Sequence, residues 1–143
     1  MKVDFIQSPI VSAGGDASYC KNNIAAVPVS GSVQFAAAGN WAGGNGGAFG
    51  NQGNLTTTYT PSPADLANDS VILYLTSAGN FFACPNDEDT VVVYFTDPPS
   101  VLAGPDLMVC SSESDFALSG AVSGVSSTGI WTTTGSGAFS PTD

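Results

Sequence analysis

Histidine and arginine are both missing from this chain of 143 residues, and lysine occurs only at Lys2 and Lys21. Without arginine or a basic groove there is no bidentate clamp for phosphate and no electrostatic footprint for a polyanion, so nucleic acid is excluded as a partner. Without histidine there is no Ser-His or Cys-His pair, no imidazole ligand for zinc and no ordinary general base titrating near neutrality. An enzyme would have to work through paired carboxylates or a metal. Asp65 and Asp87 are the one loosely plausible carboxylate pair, and the sequence reads as non-catalytic. Long apolar runs are lacking too: nothing approaches the roughly 18 residues of a membrane span. The N-terminus does not resemble a signal peptide, because Asp4 and Gln7 interrupt the place where an apolar core would run. The chain reads as an internal stretch of a longer protein.

What is present favours strands. Apolar residues make up 43% of the sequence, enough for a packed core, while charged residues supply only 10%. Ser, Thr, Asn and Gly fill the remainder, a composition that suits strands and turns and starves helices of their usual formers. The twelve acidic residues give a net charge of -10, which favours solubility and is compatible with divalent cations.

The sequence also repeats itself. Val11-Ser12-Ala13-Gly14-Gly15-Asp16, followed by Cys20, returns ninety positions later as Val101-Leu102-Ala103-Gly104-Pro105-Asp106, followed by Cys110. Gly39-Asn40-Trp41 recurs as Gly129-Ile130-Trp131, and Gly47-Ala48-Phe49 as Gly137-Ala138-Phe139. Phe5 and Pro9 take the places of Phe95 and Pro99. This register divides the chain into residues 1–9, the last strand of a preceding module; residues 10–99, one complete module; and residues 100–143, the first half of the next. Pro98-Pro99 would be a stiff linker.

Within the complete module, Leu55–Thr60, Ser70–Thr76 and Thr90–Thr96 read as strands, bounded by Asn- and Asp-rich turns. Ser62-Pro63-Ala64-Asp65-Leu66-Ala67 predicts one helical turn with Ser62 as N-cap, and the Gly-rich run from Gly43 to Gly53 predicts a hairpin loop. Short strands with turn signals at this spacing indicate an all-β, immunoglobulin-like two-sheet sandwich, repeated about every ninety residues. The cysteines fit one rule. Each module would close one bridge, Cys20 to Cys84, with the partner of Cys110 lying beyond Asp143; the other reading is buried free thiols. Such a bridge would imply an oxidising compartment and stabilise by roughly 4 kcal/mol. Trp41, Phe49, Trp131 and Phe139 are expected in the core.

Ala-Gly-x-Asp then Cys, Gly-x-Trp then Gly-Ala-Phe, Tyr59-Thr60-Pro61-Ser62 with Asp65, and Cys84 before an acidic turn together form a pattern. It resembles the Ig-like repeats of very large surface proteins and gliding-motility adhesins of the Bacteroidota, the SprB type. The resemblance implies export by the type IX route, display at the extracellular cell surface as filaments, and a structural or adhesive role with neighbouring repeats as partners. It also implies O-glycosylation at Asp-Ser/Thr-apolar sequences, which places candidates at Ser70 and Thr90; glycans there would solubilise and shield backbone.

Other candidates stand beside bland readings. Asp16, Asp97 and Asp106 recur near module junctions and could hold calcium with backbone carbonyls, or be solvated turn acids. Asp87-Glu88-Asp89 reads as a solvated turn. An alternative function is a glycan-binding module that uses Tyr59, Phe81 or Phe82 as a stacking platform for surface polysaccharide. A further variant is strand pairing between copies into a filament.

Overall fold

The computed structural model describes residues 1–80 and 84–140, and the chain divides into two units, Met1–Thr96 and Asp97–Asp143. Among the described residues, apart from one helical turn and a short 3-10 turn, the regular structure is strand, as composition leads one to expect.

In the first unit the strands are β1 (Ile10–Ser12), β2 (Ala17–Cys20), β3 (Val27–Ser30), β4 (Ser32–Gln34), β5 (Ala36–Gly43), β6 (Ala48–Phe49) and β7 (Thr56–Thr60). The helix α1 (Pro63–Ala67) then leads to the two long strands, β8 (Ser70–Asn80) and β9 (Glu88–Thr96). Two larger sheets result, a four-stranded one in the order β2-β9-β8-β5 and a three-stranded one in the order β3-β7-β6, with β1 and β4 paired beside them. The run from Gly43 to Gly53 is not a simple loop, because Ala48 and Phe49 pair with Thr60 and Tyr59 and add a strand within it. Pro28 is accommodated because β3 is the edge of its sheet, where a missing N–H costs no ladder bond.

Alternation along the strands decides which face is buried. In β8 the side chains of Val71, Leu73, Leu75 and Ser77 point inward, and in β9 those of Val91, Val93 and Phe95. They share one core with Trp41 of β5 and with Val27, Val29 and Tyr59 of the facing sheet. Ser70, Ile72, Tyr74, Thr90, Val92 and Tyr94 take the other face. Of the four residues expected in the core, Trp41 is 1% exposed and Phe49 packs half-buried against it, the rings 6.3 Å apart.

The pairing of β2 with β9 is parallel, Ala17 opposite Val93 through Cys20 opposite Thr96. Such a pair forms only when the chain crosses from one end of the unit to the other between the two strands.

The second unit contains β10 (Ser100–Leu102) and β11 (Ala121–Ser123), antiparallel, with Val101 opposite Val122. In the first unit β1 and β4 set Val11 opposite Val33 in the same way, at offsets of 90 and 89 residues. Gly14 and Gly104 both hold positive φ, +88° and +86°, and a Cβ added to either would clash with a carbonyl oxygen, that of Ser30 at 2.7 Å and of Ser119 at 2.4 Å. The Trp131 and Phe139 rings lie 6.4 Å apart, repeating the spacing of Trp41 and Phe49. Here the expectation of a buried tryptophan fails: Trp131 is 40% exposed and Phe139 is half-buried. The physical reason is that nothing among the described residues of this unit does what Leu75 does for Trp41.

Candidate functional site

The acidic turn between β8 and β9 is a fastening. Asp87 accepts the main-chain N–H of Val11 at 2.8 Å, and Asp89 accepts that of Ala13 at 2.9 Å. Alternate carboxylates at the entry to β9 thus meet alternate N–H groups in β1 and just past it, and side-chain oxygens accept the bonds that the carbonyls of a partner strand would otherwise accept. Asp16 completes the arrangement in the reverse sense, accepting the N–H of Val92 at 2.9 Å. Asp87 is itself held by the buried Ser77: its N–H donates to the Ser77 hydroxyl, and the Ser77 N–H donates to its carbonyl, both at 2.9 Å. The N–H groups of Ala13 and Thr90 hold the Asp89 carboxyl below its ordinary range. Asp87-Glu88-Asp89, expected as a solvated turn, therefore acts on β1.

At the other end of β9, Lys21 forms an ion pair with Asp69, while the Asp69 carbonyl accepts the N–H of Phe95 at 2.8 Å. The entering chain is bound to β9 at both ends of that strand.

A second network centres on the buried carboxylate of Asp65. Ser62 caps α1 and forms a capping box with Asp65: the Asp65 N–H donates to the Ser62 hydroxyl at 3.1 Å, and the Ser62 N–H donates to the Asp65 carboxylate at 2.8 Å. The same carboxylate accepts the N–H of Asn45 and the hydroxyl of Tyr59, each at 2.8 Å. The side chains of Asp65 and Tyr59 are fully buried. Burial works to raise the Asp65 pKa, but the N–H groups of Ser62 and Asn45, with the Tyr59 and Ser62 hydroxyls, outweigh it and leave the carboxyl below its ordinary value. Burial, first, and the bond to Asp65 push the Tyr59 hydroxyl well above the usual phenol range. The capping signal was legible in the sequence. The tertiary bonds from Asn45 and Tyr59 were not, since they come from a loop and a strand that the short pattern does not encode.

Other expectations are corrected by these positions. All three cysteines are free thiols. Cys20 lies level with Thr96, whereas Cys84 precedes β9 and bonds through its carbonyl to the Asn80 side chain at the opposite end. Eight residue steps along the strand separate Thr96 from Glu88, about 26 Å at 3.3 Å per step, where a disulfide needs α-carbons roughly 6 Å apart. This topology sets Cys20 and Cys84 too far apart for the expected bridge. Tyr59 is buried and cannot be a stacking platform; Phe81 and Phe82 lie outside the described residues. Asp65 and Asp87 belong to separate hydrogen-bond networks and do not face each other across a cleft.

No group of three or more His, Cys, Asp or Glu that could hold a metal ion occurs among the described residues, so Asp16, Asp97 and Asp106 are not gathered into one. Among the same residues no helix is long and apolar enough to cross a membrane. Ser70 and Thr90 share the outward face of the four-stranded sheet, Ser70 half-buried opposite Tyr94 and Thr90 exposed opposite Tyr74.

The second unit holds a cleft of about 410 Å³, lined by Val101, Ala103, Gly120, Val122 and Trp131 among others. No known protein family, no curated protein and no solved structure matches the chain.

Proposed function

We propose that this chain belongs to a tandem array of Ig-like two-sheet modules of about ninety residues, and that each module is a non-catalytic, load-bearing spacer in an exported cell-surface filament or adhesin of the SprB type. The recurrence of strand pairing, positive-φ glycine and Trp–Phe spacing at offsets of 89 and 90 residues supports the repeat. A core shared by two sheets supports the sandwich.

The observation that carries the mechanical reading is the parallel pairing of β2 with β9. The chain comes in past Asp87 and Asp89 at the start of β9 and goes out at Thr96, the opposite end. Tension between the two ends slides β2 along β9, so that all the bonds of the pair resist together and must break together. Antiparallel neighbours pulled from one end would open bond by bond. Forced rupture depends on the unfolding rate, which is where such an arrangement acts. The outward Ser70 and Thr90 hydroxyls are the candidate glycan attachment points in this reading, and surface polysaccharide is a candidate contact.

The test is single-molecule stretching of the whole chain, with its cysteines replaced by serine and new attachment points at residues 8 and 97. The rupture force in that geometry should exceed that measured with attachments at residues 8 and 88, which peel the unit from one end. Equal forces in the two geometries would remove the mechanical reading.

A further inference from the structure

The segment from Val11 to Cys20 keeps a single parallel register against Asp87–Thr96: Val11 meets Asp87, Ala13 meets Asp89, Asp16 meets Val92 and Cys20 meets Thr96, each pair 76 residues apart. The two halves of that register are built differently. From Ala17 to Cys20 the two main chains pair directly. From Val11 to Ala13 they do not, because β1 pairs with β4, and the carboxylates of Asp87 and Asp89 reach across to the N–H groups instead. The change falls at Gly14-Gly15, where Gly14 holds a φ of +88° and a Cβ on Gly15 would meet nothing within 4 Å. Two successive glycines, one of them already left-handed, make a ready hinge.

We propose that β1 is a strap that swings open at Gly14-Gly15 while the rest of the unit stays folded, and that the charge on Asp87 and Asp89 is its latch. The strap is short: three residues pair with β4, and its buried side chains are those of Val11 and Ala13. A main-chain ladder is indifferent to pH. A carboxylate latch is not, because a hydrogen bond to an ionised acceptor is about twice as strong as one to a neutral acceptor. No other charge serves this seam. Strands β1, β4 and β5 carry no ionisable side chain, and β8 carries only Tyr74, on the outward face. Glu88 accepts the Thr76 hydroxyl, Asp16 is engaged by the Val92 N–H, and the lysines pair elsewhere, Lys2 with Asp4 and Lys21 with Asp69. Acid therefore loosens the latch as the two carboxyls protonate, below about pH 4. The inference goes beyond the mechanical reading and stands without it. In an array of modules, an open strap would add residues 10–15 to the link in front of its module and make that joint more compliant.

The experiment is native-state amide exchange on the full chain labelled with 15N. Val11 and Ala13 report the strap, and Leu73, buried at the centre of the four-stranded sheet, reports the core. Opening the strap exposes little surface, so exchange at Val11 and Ala13 should hardly respond to low urea, whereas exchange at Leu73 should rise steeply. Protection of Val11 and Ala13 should fall about tenfold between about pH 6 and pH 3. It should fall about as far at pH 6 in the double variant Asp87→Asn, Asp89→Asn, whose acceptors are neutral at every pH, and there its dependence on pH should vanish. The pH series on the unaltered chain decides the matter if that variant fails to fold. Exchange at Val11 and Ala13 with the urea slope of Leu73 overturns the strap, because β1 then leaves only when the unit unfolds. A shallow slope with protection that ignores pH overturns the latch. Both results are read without force and leave the comparison of attachment points untouched.

Discussion

Asp87 and Val11 lie 76 residues apart in sequence and are joined by a 2.8 Å hydrogen bond from the Val11 N–H to the Asp87 carboxylate. Ala13 with Asp89, and Asp16 with Val92, are joined at the same sequence separation. Three carboxylates thus bind the entering strand to the β8–β9 pair, a job that a continuous ladder would otherwise do.

Asp87→Ala should therefore destabilise the first unit by about 1 kcal/mol, the ordinary value for a hydrogen bond to a partly exposed charged acceptor. Asp87→Asn, which keeps an acceptor oxygen, should cost less. Urea denaturation followed by Trp41 fluorescence measures both, and equal losses for the two variants would argue against the bond as the cause.

The buried pair should be more costly to break. Asp65→Ala leaves the N–H groups of Asn45 and Ser62 and the Tyr59 hydroxyl without their acceptor, and should cost about 3 kcal/mol or more. Tyr59→Phe removes only one donor and should cost about 1 kcal/mol. The double variant should fall short of the sum by at least about 0.5 kcal/mol, a coupling that a double-mutant cycle reads directly.

Acid should weaken the fold through the same groups. The Asp65 and Asp89 carboxyls titrate below their ordinary value of 3.8 in the folded chain. A carboxyl with a depressed native pKa adds stability that is present above its unfolded pKa and lost as pH falls through the native one. Stability should accordingly be level from neutrality down to about pH 5 and fall below about pH 4, with a shallower fall in Asp89→Asn. Denaturant midpoints measured from pH 7 to pH 2 test this.

Replacing Cys20 and Cys84 together by serine should change stability by less than about 0.5 kcal/mol in the absence of oxidant. The loss of a bridge would instead cost roughly 4 kcal/mol. Alkylation of the folded, unreduced chain should modify Cys20, which is exposed.

The all-β class, the long strands Ser70–Thr76 and Thr90–Thr96, the helical turn at Ser62 and the burial of Trp41 could be read from the chain. Each is set by neighbours in sequence: alternation of apolar side chains, a capping residue, a turn rich in Asn and Asp. The fate of the acidic turn, the separation of Cys20 from Cys84 and the burial of Tyr59 could not be read in this way. The Cys20–Cys84 expectation failed because spacing along a chain does not say at which end of a strand a residue arrives. The parallel pairing of β2 with β9 sets Cys20 beside Thr96, and no local pattern records that choice. Asp65 shows both levels in one residue: Ser62 three positions away makes it a helix-capping partner, and Asn45 and Tyr59, brought in by packing, make it a satisfied buried charge. Local residue pattern determined which segments become strands and turns, because those preferences are short-ranged. Tertiary structure decided which polar groups meet, because a hydrogen bond depends on where two distant segments come to rest.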